Sequence, residues 1–231
     1  MTWFSVLGLI STIALFLPII IILFFRLAWY KSFPALLAYY ILVSGHSFLT
    51  LGFFTVEKSF TDYYGILNNF LDAPLMLGFM TYFSKTALFR KRMKMIIGML
   101  VLFEVVVVLT AGFNIDAAII AMAPGLSMVL AFSLLFFIHQ VKIAVVYQKA
   151  AGKAIMTAAL LFAYGGYMFI YIVYYLLKTP YKADTQLIYF LVNIFFSLLI
   201  STGVYIEKRR VKQLTELKIA REELRIIYGR S

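Results

Sequence analysis

Seven stretches of this chain contain no lysine or arginine, and each is 21 to 25 residues long. They are 3–25, 32–56, 63–84, 95–115, 117–141, 154–177 and 185–206. About 20 apolar residues rising 1.5 Å each cross a hydrocarbon core of about 30 Å. Outside these windows the 231-residue chain has only short connections and a tail. The expected fold class is therefore an all-α membrane protein, a bundle of seven transmembrane helices. The windows are apolar on both parities, whereas the strands of a membrane barrel alternate. The first lacks a basic leading segment and is too long for a leader's apolar stretch, so it is expected to be the first membrane helix. With 64% apolar and 13% charged residues, a soluble enzyme and a disordered chain are excluded. With no cysteine, disulfides, thiol catalysis and thiolate metal sites are excluded as well.

The basic residues are distributed unevenly between the connections. Arg26 and Lys31, then Lys85, Arg90, Lys91, Arg92 and Lys94, then Lys142, Lys149 and Lys153, and eight residues after 206 all fall on one side. Lys58, Lys178 and Lys182 fall on the other. The positive-inside rule then expects the N-terminus outside and the C-terminus in the cytoplasm. Anionic headgroups of the lipid bilayer balance this charge, so the net +11 implies no nucleic-acid partner. Two segments follow: a seven-helix domain over 1–206 and a basic tail over 207–231. The tail carries Leu214, Leu217, Ile219, Leu224, Ile226 and Ile227 among its charges. It reads as a short amphipathic cytoplasmic helix on the inner leaflet, or as a docking segment for a cytoplasmic protein. Chain size, with no eukaryotic sorting signal, fits a bacterial inner membrane.

Three ionisable groups fall inside windows two to four: His46, Asp72 and Glu104. At that depth such groups face the bundle interior. There they form hydrogen bonds between helices, or a carboxyl group is held protonated. Gly65, Asn68 and Asp72 share one face of helix three, and Pro74 lies just beyond it. Tyr189, Asn193, Ser197 and Ser201 form one stripe of helix seven, and Tyr164, Tyr167, Tyr171 and Tyr174 one stripe of helix six. Tyr174, Tyr175 and Tyr181 fit an interfacial belt equally well. Such an interior suits a small ligand, an ordered water chain or close helix packing.

These residues carry a resemblance. Helix three reads Gly65-x-x-Asn68-x-x-x-Asp72-x-Pro74-Leu75-Met76, and His46 stands 22 residues before Asn68. Helix seven reads Leu187-Ile188-Tyr189-x-Leu191-x-Asn193-x-x-x-Ser197. With seven helices in this topology, the chain resembles the microbial rhodopsins, most closely the proteorhodopsin-like ones. In that family helix three carries Arg-x-x-Asp-x-x-x-Thr-x-Pro-Leu-Leu, and helix seven Leu-Ile-Tyr-x-Leu-x-Asp-x-x-x-Lys. The resemblance spans residues 1–206.

The departures define what is expected of this chain. The family's retinal lysine corresponds to Ser197, and a hydroxyl cannot form a Schiff base. The two counter-ion aspartates correspond to Asn68 and Asn193, the arginine one turn outward to Gly65, and the proton-donor carboxylate to Phe79. A buried cation needs nearby anions, and without it two unpaired carboxylates would be costly. The substitutions are thus mutually consistent, and a retinal-driven ion pump is excluded. His46 and Asp72 remain as titratable groups at similar depth, where a His–carboxylate hydrogen bond is one expectation.

The resemblance implies a lysine-less rhodopsin-like protein that binds a small apolar ligand without a covalent bond, retinal or a carotenoid among the candidates. Alternatively it signals through its tail. Pocket candidates are His46, Asn68, Asp72, Pro74, Tyr164, Tyr167, Tyr189, Asn193 and Ser197. Ser197→Lys with added retinal is expected to give a covalent adduct. A proton or ion path through His46 and Asp72, or a purely structural subunit, are the other expectations. Rhodopsin-like folds also form trimers and pentamers. No metal cluster or acidic pair for catalysis is present, so enzymatic activity is not expected.

Overall fold

A computed structural model describes residues 3–52, 54, 56–84, 86–147, 150–177 and 182–228. The chain forms α1 (Trp3–Phe24), α2 (Phe33–Thr50), α3 (Lys58–Met80), α4 (Ala87–Ala111), α5 (Ile115–Tyr147), α6 (Ala151–Ile170) and α7 (Lys182–Tyr228). A short 3₁₀ turn, Thr81–Phe83, follows α3, and a π-helical segment, Tyr171–Leu176, follows α6. Consecutive helices pack side by side, α7 closes against α1, and α3 also touches α5. The closed ring brings α2 and α7 face to face, with Tyr39 and Tyr40 against Phe196. Among the helices of the ring, α4 is the most peripheral, packed on α3 and α5.

Six of the seven helices are long and apolar enough to cross a membrane. The exception is α3, whose first turns carry Lys58, Ser59, Thr61 and Asp62 and whose middle carries Asn68, Asn69 and Asp72. Polarity on α3 is tolerated because α2, α4 and α5 surround it. Elsewhere the distribution is that of an all-α membrane bundle. Ile13, Ile20, Leu102, Leu109, Leu135 and Val145 point outward and are exposed, while Thr12, Ser44, Ser133, Thr157, Asn193 and Ser197 are buried. A protein in water reverses this preference.

Close helix contacts are built on glycine. An ideal Cβ on Gly152 of α6 would fall 2.7 Å from the carbonyl oxygen of Gly203 on α7, and one on Gly125 of α5 would fall 2.8 Å from Ala73 Cβ on α3. Small residues let backbones approach where no hydrophobic drive exists between helices and lipid.

Two boundaries differ from the sequence reading. α4 begins at Ala87, so Arg90, Lys91, Arg92 and Lys94 ride on its first turns and not on a loop. Thr86 explains the early start: its hydroxyl accepts a 3.2 Å hydrogen bond from the Phe89 N–H and caps the helix. The tail is not a separate surface helix. It continues α7 without a break to Tyr228, making a helix of 47 residues, about 70 Å long. With neither proline nor glycine between Val204 and Tyr228, nothing in the sequence ends the helix at the membrane boundary.

Where α7 leaves the bundle, Glu207 is buried and accepts a 2.8 Å hydrogen bond from the Tyr82 hydroxyl. Arg210 lies 3.8 Å from the same carboxylate oxygen, and Lys153 Nζ sits 4.3 Å above the Tyr82 ring. This contact ties the end of α3 to the point where α7 emerges.

Candidate functional site

The site begins with an interlock between α2 and α3. An ideal Cβ on Gly65 would fall 2.9 Å from His46 Nε2, and one on Gly45 would fall 2.6 Å from the Tyr64 hydroxyl oxygen. Each ring occupies the space opposite a glycine of the other helix. The two rings lie nearly parallel, 8° apart with centroids separated by 6.2 Å. His46 therefore fills the volume that any side chain at position 65 would need.

This geometry sets His46 level with Gly65, two helical turns from Asp72 along α3. The expected hydrogen bond between His46 and Asp72 is not formed. The two line different spaces: His46 an outer vestibule, Asp72 an inner cavity. The partner of Asp72 is instead Tyr164, whose hydroxyl donates to Oδ1 at 2.8 Å. Glu104 on α4 is buried as well.

The vestibule measures about 880 Å³ and opens at the end of the bundle where α2 finishes and α3 and α5 begin. Its wall includes His46, Asp62, Tyr63, Phe113 and Asn114. A side recess of about 430 Å³ runs between α1, α2 and α7 past His46 and Tyr189. Asn68, Asn69, Tyr175 and Tyr189 line both the vestibule and the inner cavity, so they form the neck between them.

The inner cavity measures about 160 Å³. Tyr39 and Val43 of α2, Asp72 of α3, Met122 and Leu126 of α5, and Tyr167 of α6 enclose it, with Tyr171 and Tyr175 from the π segment. Tyr167 donates to Asn193 Oδ1, and Tyr171 donates to the Ile119 carbonyl at 3.2 Å. On the inward side of Asp72, Met76, Leu77, Phe79 and Met80 are fully buried. The cavity is thus continuous with the vestibule through its neck, while α3 continues inward from Asp72 with apolar residues.

Of the sequence candidates, Asn68, Asp72, Tyr167 and Tyr189 line this cavity. Tyr164 and Asn193 support it through hydrogen bonds from the next layer. Pro74 does not line it; next to Pro74, Ala73 packs on Gly125. Phe79 packs edge-on against Phe33 and Phe83. Ser197 does not line it either. It is fully buried behind Tyr40, which stacks on Phe196. The Tyr40 hydroxyl and Ser197 Oγ face one another without the geometry of a hydrogen bond. Together with Ser44, Asn193 Nδ2 and Ser201 they form a buried run of polar atoms without a hydrogen-bond partner between α2 and α7. Polar glue of this kind in an apolar bundle is normally completed by ordered water.

Sequence reading missed Tyr39, Val43, Asn69 and Tyr175. For α2 a signal existed: Tyr39, Val43 and His46 are spaced four and three apart, on one helix face. For Tyr175 a signal existed too: Tyr167, Tyr171 and Tyr175 are spaced four apart, so Tyr175, and not Tyr174, continues the helix-six stripe into the cavity wall. Tyr181 lies outside the described residues. Among the described residues no group of three or more His, Asp or Glu is placed to hold a metal ion. Compared with family models, curated proteins and solved structures, the chain matches none.

Proposed function

We propose that this chain is a membrane sensor without enzymatic activity: a rhodopsin-like bundle that binds a small molecule non-covalently and relays occupancy through α7. In this reading the N-terminus and vestibule face outward, and the basic tail lies in the cytoplasm of a bacterial cell, near anionic headgroups and a protein partner. The observation that carries it is the continuity of α7. One unbroken helix holds Asn193, hydrogen-bonded to the cavity tyrosine Tyr167, and Glu207, locked to Tyr82 where the helix emerges.

The size of the cavity shapes the ligand. Drug-sized molecules occupy about 300–1,000 Å³, and a C20 polyene belongs to that class, whereas an apolar cavity of about 150 Å³ admits benzene. The inner cavity, at about 160 Å³, suits the smaller molecule. Retinal or a carotenoid would need Tyr40 and Phe196 to give way. Transport through His46 and Asp72 has less support, because α3 continues inward from Asp72 with Met76, Leu77, Phe79 and Met80, all apolar and fully buried.

The test compares wild type with Val43→Trp, which fills the cavity from a buried wall position. The chain has no cysteine, so Lys212→Cys provides a single thiol for a spin label on the exposed face of α7. Wild-type protein is expected to yield a small molecule on denaturation in acidified methanol, which releases both charged and apolar ligands, that Val43→Trp lacks, and the label spectra of the two are expected to differ. Identical extracts and identical spectra would remove the sensor reading. A visible absorption band on adding all-trans retinal to wild type would instead restore the polyene.

A further inference from the structure

Among the described residues, the walls of the inner cavity and vestibule hold no lysine and no arginine. They do hold two carboxylates of α3, Asp72 inside and Asp62 at the mouth. Such a path attracts cations and repels anions. Five tyrosines, Tyr39, Tyr167, Tyr171, Tyr175 and Tyr189, surround the inner space. Around it the hydroxyls of Tyr164, Tyr167 and Tyr171 already donate, to Asp72, Asn193 and the Ile119 carbonyl. Those protons are not available to an anionic ligand. All five tyrosines also present electron-rich ring surface, which binds quaternary and protonated amines when several rings converge.

We propose that the ligand of the inner cavity is a small organic cation, a quaternary ammonium or protonated amine, held by the Asp72 carboxylate within the tyrosine cage and admitted past Asp62 through the neck of Asn68, Asn69, Tyr175 and Tyr189. This deepens the sensor reading and rests on it. The half-buried Asp72 keeps one oxygen on Tyr164 while lining the cavity, so it is both anchored and facing the ligand. The cavity volume of about 160 Å³ sets the size limit: a trimethylammonium head with a short arm fits, and a long polyamine does not.

The experiment uses the full chain in lipid nanodiscs and measures thermal unfolding and calorimetric binding with choline chloride. Its neutral isostere 3,3-dimethyl-1-butanol and equimolar sodium chloride are the controls. Choline is expected to bind and raise the unfolding temperature, the alcohol and sodium to do neither. Asp72→Asn keeps an acceptor for Tyr164 and is expected to fold normally while losing affinity about tenfold or more. Tyr189→Leu removes one ring without touching Asp72 and is expected to weaken binding several-fold.

Equal binding of the alcohol, or undiminished choline binding by Asp72→Asn, would overturn the cation assignment and leave the sensor reading intact. Equal stabilisation by sodium would overturn it in favour of an inorganic ion. No binding of either organic probe would also overturn it, while the Val43→Trp comparison decides the sensor reading separately.

Discussion

The contact between Gly152 and Gly203 makes a quantitative claim about α6 and α7. An ideal Cβ on Gly152 lies 2.7 Å from both the Gly203 carbonyl oxygen and the Glu207 backbone nitrogen. One on Gly203 lies 2.5 Å from Met156 Cγ and 2.9 Å from the Gly152 carbonyl oxygen. Unstrained carbon contacts sit at about 3.5–4.0 Å, so either alanine must part the helices by roughly 0.5–1 Å. A gap of that size forfeits about a quarter to a half of each contact it opens. Overpacking of this kind costs about 1–3 kcal/mol. Each single alanine is therefore expected to cost about 2 kcal/mol.

The double variant is the sharper test. One separation of the helices accommodates both methyl groups, so the pair is expected to cost little more than either single change, a coupling of about 2 kcal/mol. Reversible unfolding in mixed micelles, followed by circular dichroism as dodecyl sulfate rises, measures all three variants against wild type. Costs that simply add, or single costs below about 0.5 kcal/mol, would refute the close backbone contact.

Three further outcomes are expected. Tyr82→Phe leaves buried Glu207 short of its hydrogen bond and should lower stability by about 1–3 kcal/mol, measured by the same unfolding assay. Ala150 holds a left-handed conformation, φ 68°, as the residue before α6, so Ala150→Gly should stabilise by up to about 1 kcal/mol; a loss of stability would contradict the strain. Ser197→Lys alone should form no borohydride-sensitive adduct with retinal, because Tyr40 and Phe196 cover the position, whereas Ser197→Lys with Tyr40→Ala should form one; an adduct with the single change would show that the cover is loose.

The sequence reading of helices rested on hydrocarbon thickness, a strong constraint, and six of the seven expected helices are long and apolar enough to span, α3 being the exception. Their ends were less legible. A run of basic residues reads as a connection, yet a threonine cap started α4 ahead of Arg90, and the absence of any breaker carried α7 past Glu207. The site was legible by face and not by depth. Periodicity placed Asn68 and Asp72 on one face, as found, but depth was inferred by matching His46 to Asn68. The actual level follows from His46 filling the space opposite Gly65, a contact between helices that spacing along one helix does not encode. The same holds for Ser197: its register on α7 was readable, while its cover came from Tyr40 on α2, far away in sequence.

The unbroken α7 has a mechanical consequence. About 21 Å of helix separates Asn193 from Glu207 and about 32 Å separates Glu207 from Tyr228, so the residue clasped by Tyr82 stands as the fulcrum of a lever with unequal arms. A displacement of 0.5 Å at the cavity end then reaches the far end as roughly 0.8 Å in the opposite direction, if the rod stays stiff. What such a helix exports is a change of angle. A downstream partner would have to read tilt, and a pair of glycines inserted just after Arg210 should silence it while leaving the cavity untouched.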